Sequence, residues 1–237
     1  MDTNRSFLIL WDVDHTLVDV GDISRAIYKR AFHAVFGRQL QDLAGMTGRT
    51  ESAILADTLA LHEISASADV VDAFYFALAR AAEDLRDRML REGRCLPGAP
   101  KAISSLVDDN VVQTLVTGNL RPIATTKLEV FGLAEHIDFD VGGYGADGDT
   151  RPPLIRCALQ RAEAKYGDRF TADRVVVIGD TPFDISGARA VGVHAVGVAT
   201  GGNTVADLVA AGADAVVSDL TDVDLLRAAV FERALRR

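Results

Sequence analysis

The chain has 237 residues, of which 49% are apolar and 25% charged, with a formal net charge of −9. That length is more than one ordinary domain and less than two, which implies one core with a modest inserted or appended unit, and the composition is that of a soluble globular protein without low-complexity tracts or repeats. The acid excess opposes nucleic acid as a partner, because phosphate-backbone affinity depends on clustered Lys and Arg, so an anionic small molecule would need local positive charge instead.

The start, Met1 to Ser6, is short and polar and is followed by only a brief apolar run. Neither a signal peptide nor a membrane span has that form, so the reading is cytoplasmic, with no membrane partner. Phe7 to Trp11 then reads as a buried parallel strand that ends abruptly in Asp12. From about Val20 to Gly93 the pattern is helical: Ile23, Ile27, Ala31 and Val35 recur at helical spacing before Gly37, as do Val70, Phe74, Leu78, Ala81 and Leu85.

Leu96-Pro97-Gly98 signals a turn, after which strand and helix alternate. Strands are expected at Val111 to Val116, Val175 to Ile178, Ala195 to Val198 and Ala215 to Val217. Helices are expected at Ala99 to Val107, Pro122 to Phe131, Pro152 to Tyr166 and Phe183 to Val191. Alternation of this kind predicts an α/β fold with a doubly wound, Rossmann-like parallel sheet, whose sites lie at the carboxyl ends of the strands. The expected division is a core of residues 1–19 and 94–237, with residues 20–93 forming an all-helical cap over the strand-end crevice.

Three clusters sit where strands end. Asp12-Val13-Asp14-His15-Thr16 places two acids two apart, so both carboxylates can face one side. Thr117-Gly118-Asn119 offers a hydroxyl, backbone N–H groups and an amide to phosphate oxygens, and equally suits an ordinary strand-to-helix turn. Gly179-Asp180-Thr181-Pro182-Phe183-Asp184 places two acids four apart. Hard divalent cations such as magnesium take oxygen ligands and keep several waters, so these carboxylates plus a substrate phosphate form a plausible site, although an aspartate cap before a proline-started helix reads the same way. The two cysteines, Cys95 and Cys157, have no zinc-like spacing. A cysteine nucleophile for phosphate chemistry would need arginine six positions later, where Lys101 and Glu163 stand.

In this order and spacing the three clusters resemble the haloacid dehalogenase-like hydrolase superfamily, in the branch with a helical cap inserted after the first motif, which includes phosphoglycolate phosphatases and beta-phosphoglucomutases. The resemblance implies that Asp12 forms an aspartyl-phosphate and that Asp14 protonates the leaving oxygen and later activates water. It implies magnesium held by Asp12, the Asp14 backbone carbonyl and Asp180, with Asp184 a ligand through water or an orienting group. Thr117, Gly118 and Asn119 would hold the transferring phosphoryl group. The substrate implied is a small phosphorylated metabolite.

Two positions depart from the family's pattern. His15 stands where glycine is common, either filling space or touching the substrate. Arg151 stands where lysine is usual, keeping the charge but binding phosphate through a planar fork. Lys127, inside the preceding helix, is the lesser candidate for that role. In the stretch Gly45 to Glu51, which resembles the substrate-facing loop of capped relatives, Arg49 is the candidate specificity residue. The paired acid at Asp14 disfavours a dehalogenase, and the lack of a lysine near the cap loop disfavours a Schiff-base hydrolase. A beta-phosphoglucomutase-like phosphotransferase is the alternative, followed by a catalytically silent phosphate-ligand binder.

Overall fold

The computed structural model describes residues 7–108, 110–167 and 170–231; the polar start, residues 1–6, lies outside them. β1 (Phe7–Trp11) comes first, and its side chains divide by alternation. Leu8 and Leu10 enter one apolar cluster and Ile9 and Trp11 another, as a strand covered on both faces requires. A two-residue β2 (Val18–Asp19) follows, then α1 (Ile23–Phe36), α2 (Glu51–Leu61), α3 (Ala68–Asp84) and α4 (Arg86–Glu92). β3 (Arg94–Cys95) pairs antiparallel with β2, so the chain leaves and re-enters the core through one short ribbon.

The remaining elements alternate. They are α5 (Ala99–Ser105), β4 (Val111–Leu115), α6 (Arg121–Val130), α7 (Arg151–Tyr166), β5 (Val175–Gly179), α8 (Pro182–Val191), β6 (His194–Val198), α9 (Val205–Ala210), β7 (Ala215–Val217) and α10 (Val223–Phe231). The sheet order is β4-β1-β5-β6-β7, and every neighbouring pair is parallel. Leu154 and Ile155 of α7, Ile185 of α8 and Leu208 of α9 cover one face. Ile103 of α5, Leu128 of α6 and Leu226 of α10 cover the other, completing the doubly wound α/β fold that the alternation predicts. Because β4, β1 and β5 are adjacent, the three strand-end clusters lie side by side at one sheet edge.

The helices between β2 and β3 share the second of these clusters: Ile27, Phe32, Phe74 and Leu78 are continuous with it. Residues 38–50, between α1 and α2, form neither helix nor strand. The start of α2 is tied to the core by backbone bonds, with Glu51 N donating to Gly118 O at 2.8 Å and Ser52 N to Gly145 O at 3.1 Å. Only glycine permits this approach. A Cβ on Gly118 would stand 2.0 Å from Arg49 O, and one on Gly145 would stand 1.8 Å from Gly118 O.

Gly145→Ala therefore forces the α2 start away from the core. We expect a stability loss of about 1–3 kcal/mol, the usual range for overpacking, and faster proteolysis between α1 and α2. Unchanged melting and cleavage would contradict a seam that depends on these close approaches.

Candidate active site

The apolar run of β1 fixes Asp12 at the sheet edge, where Asp12 N donates to Ile178 O at 2.8 Å. The next residues fold tightly: Leu17 N bonds Val13 O at 2.9 Å and His15 N bonds Val18 O at 2.8 Å. This turn puts His15 in the left-handed region, with φ 59°. Histidine tolerates that conformation better than a branched residue, and glycine tolerates it better still. Thr200 Oγ1 secures the turn by donating to His15 O at 2.5 Å.

Asp180 and Asp184 arrive from the end of β5 and the first turn of α8. Thr181 caps α8, exchanging bonds with Asp184 in a capping box: its hydroxyl donates to Asp184 Oδ2 at 2.7 Å. Thus Asp184 caps its own helix and still reaches the cluster. Ligand-capable oxygens of Asp12, Asp180 and Asp184 all lie within 4.8 Å of one another, and all three residues are buried. Arg151, at the start of α7, bridges them. Its Nη2 donates to Asp12 Oδ1 at 2.9 Å, and its Nε stands 2.8 Å from Asp184 Oδ1 without hydrogen-bond alignment. The planar fork spans two carboxylates in a way one ammonium does not.

Three carboxylates against one guanidinium leave two negative charges buried together, the charge a divalent cation supplies. Burial, reinforced by the neighbouring carboxylates, pushes Asp12 up to about 7 and Asp180 up to about 8. Asp180 Oδ2 is buried with no hydrogen-bond partner among the described residues. An oxygen-only, over-charged cluster with an orphaned carboxylate oxygen fits a hard divalent cation.

Asp14 sits in the opposite electrostatic setting. Burial alone would raise it, but Lys127 overcomes this and holds Asp14 below the usual carboxylate range, with help from Asn119. Lys127 Nζ lies 2.7 Å from both Asp14 oxygens and 2.8 Å from Asn119 Oδ1, and its side chain is 1% exposed. Asn119 Nδ2 donates to Asp14 Oδ2 and to Thr117 Oγ1 at 2.7 and 2.8 Å. Lys127 therefore stands beside the site, in a place the sequence reading did not give it. It does not replace Arg151: each cation serves a different carboxylate. The signal was available, since Lys127 falls on the same helical stripe as the buried Ile123, Ala124 and Leu128.

In the loop that follows β4, the Asn119 N–H is taken by Thr117 Oγ1 and the Thr117 N–H by Gly143 O. Gly118 is left as the backbone donor there without a partner among the described residues. A cavity of about 420 Å³ opens over the loops and is lined by Asp12, Asp14, Thr117, Arg151, Asp180 and residues of the helical insertion. Arg49 also lines it, but its guanidinium is held by Gly45 O, Ala53 O and Asp57 at 3.3, 3.1 and 2.6 Å. The buried ionisable residue of that loop is Glu51, which sequence reasoning did not single out.

The haloacid dehalogenase-like hydrolase family matches residues 9–198. Two curated relatives are similar over almost the whole chain. A phosphoglycolate phosphatase of Agrobacterium fabrum is 26% identical, covering 97% of this chain and 94% of the relative. A plasmid-borne phosphoglycolate phosphatase of Cupriavidus necator is 27% identical, covering 90% and 89%. Among solved structures, a hydrolase from Pseudomonas syringae aligns with a TM-score of 0.65 at 24% identity, covering 92% of this chain and 96% of that one. No helix among the described residues is long and apolar enough to cross a membrane.

The raised acids set a pH signature. Between the ordinary carboxylate value and the values of about 7 and 8, the metal-free folded protein holds protons on Asp12 and Asp180 that the unfolded chain releases, so stability falls as pH rises through that window. Thermal melts in EDTA should drop from about pH 6 to about pH 8.5, and magnesium should raise the melting temperature more at the upper end, where it replaces protons. A magnesium shift equal at both ends would contradict this. Lys127→Met should cost about 2–3 kcal/mol, below the 3–5 kcal/mol of fully buried pairs because Asp14 keeps a third of its side chain exposed. A melt unchanged by that substitution would show the pair to be energetically idle.

Proposed function

The chain belongs to the haloacid dehalogenase-like hydrolases, and from that premise we propose that it is a magnesium-dependent phosphatase of small phosphate monoesters, working through an aspartyl-phosphate on Asp12. The observation that carries this reading is the contrast between two carboxylates of one turn. Asp12 stands in the metal-fitting cluster, and Asp14 stands apart from it on Lys127 and Asn119. One is suited to nucleophilic attack and the other to proton transfer.

Arg151 fixes Asp12 Oδ1 and leaves Oδ2 for attack. As the Asp12 oxygen bonds to phosphorus, the bond from phosphorus to the ester oxygen breaks, and Asp14 gives that oxygen its proton. Water then attacks the phosphorus of the acyl phosphate while Asp14 takes a proton back, and Asp12 departs as a carboxylate with inorganic phosphate released. Lys127 keeps Asp14 anionic at rest, the form that the second step uses. An incoming phosphate dianion offsets the Lys127 charge and favours the protonated form that the first step uses.

Asp12, Asp180, Asp184 and the backbone carbonyl of Asp14 are the groups that would hold magnesium, which when bound neutralises charge between Asp12 and the phosphate. Thr117 Oγ1 accepts from Asn119, which leaves its own hydrogen for a phosphate oxygen, and the free Gly118 N–H lies next to it. The helices of residues 20–93 act as a cap that excludes bulk water from the reacting centre. The 26–27% identity to phosphoglycolate phosphatases supports phosphate ester hydrolysis and leaves the ester itself to the chemistry of the cavity.

Phosphate release from p-nitrophenyl phosphate tests the reading. Release should require magnesium, stop in EDTA and fall by roughly a thousandfold or more in Asp12→Asn with the fold intact. Release that survives EDTA or Asp12→Asn would sink it.

A further inference from the structure

The cavity wall contributed by the helical insertion contains a buried acid that the phosphoryl-transfer steps leave unused. Glu51 is the first residue of α2, 5% exposed, and its Oε2 accepts a 2.5 Å hydrogen bond from the Tyr28 hydroxyl of α1. Its other oxygen, Oε1, has no hydrogen-bond partner among the described residues, and Glu51 lines the cavity. Burial holds the Tyr28 phenol well above its ordinary value and pushes Glu51 up to about 7, so above that pH Tyr28 is the donor and Glu51 a charged acceptor.

The position of Glu51 determines which part of a substrate it meets. Its N–H is bonded to Gly118 O, between Thr117 and Asn119, and Asn119 in turn holds Asp14. Lys127 and Asp14 are near enough to act electrostatically on Glu51. Under the phosphatase reading, on which this inference rests, Asp14 faces the leaving oxygen, so Glu51 faces the carbon chain next to that oxygen.

We propose that Glu51, oriented by Tyr28, is a specificity-determining residue whose free oxygen accepts a hydrogen bond from a hydroxyl of the leaving alcohol, selecting phosphorylated polyols or sugars over esters with a carboxylate there. A carboxylate at that point would meet Glu51 with the nearby buried cation, Lys127, already engaged. Lys127 is committed to Asp14 and Asn119, Arg49 to Asp57, and Arg25 is an exposed residue of the cavity lining. A site built to accept a hydrogen bond discriminates strongly against a ligand that cannot donate one.

Glycerol 1-phosphate and 2-phosphoglycolate form a matched pair, with a carbinol and a carboxylate on the same carbon. The test is the ratio of their kcat/KM values in wild type, Glu51→Gln and Tyr28→Phe, with p-nitrophenyl phosphate as a third ester. Wild type should favour glycerol 1-phosphate. Above pH 7, where Glu51 is ionised, Glu51→Gln should lower the ratio about ten- to hundredfold, as expected when a charged acceptor that repels a carboxylate becomes a neutral amide, and Tyr28→Phe should lower it less with the carboxylate retained. A wild-type preference for 2-phosphoglycolate, or a ratio unmoved in both variants, overturns the assignment while leaving the phosphatase reading standing. No hydrolysis of any of the three esters by wild type overturns both.

Discussion

The structure is organised around an electrostatic problem at one sheet edge: Asp12, Asp180 and Asp184 are buried together, with a single guanidinium that reaches only Asp12 and Asp184. Such a cluster is unfavourable by itself, because each carboxylate loses water and meets like charge. The fold tolerates it because rigid elements hold the three residues in place. β1 and β5 end side by side, α8 starts with a capping box that fixes Asp184, and α7 starts with Arg151 directed into the group. A divalent cation would remove the remaining imbalance, at a site that the apolar sheet holds in place.

A second charged group, separated from the first, gives Asp14 a different character from Asp12, two residues earlier in the chain. Lys127 and Asn119 surround Asp14 with donors, while Asp12 shares its surroundings with other acids. Opposed environments of this kind are how one site assigns different roles to chemically identical groups. The insertion meets the core beside both, through a backbone seam at Gly118 and Gly145 and an ion pair of Arg86 with Glu129. That seam brings Glu51 to the cavity, joining the cap's position to the chemistry of its lining.

Much of this was legible in the sequence, for physical reasons. Short apolar runs ending in acids mark buried parallel strands, so Asp12 and Asp180 could be assigned to one edge before any coordinates, and the four-residue step to Asp184 follows from one turn of helix. Arg151 was named through the resemblance alone, as the residue standing where lysine is usual. The pairing of Lys127 with Asp14 was not read from the sequence, although its companions Ile123, Ala124 and Leu128 are core residues and the helical period puts it among them. Arg49 and Glu51 were harder to separate. Thr50 caps α2, Asp57 draws the arginine along the outside of the helix and Tyr28 holds the glutamate within, and the last contact joins two different helices. The two-residue strands β2 and β3 are too short to leave any pattern.

The most direct test of the central claim is whether phosphate is ever bonded to Asp12. Asp14→Asn removes the group that activates water, so with magnesium and a reactive ester the acyl phosphate should accumulate. An acid-quenched digest should then show one phosphoryl group on the peptide containing Asp12, absent without magnesium. A phosphoryl group on any other residue, or none in a folded Asp14→Asn protein under conditions in which wild type turns over, would contradict the account.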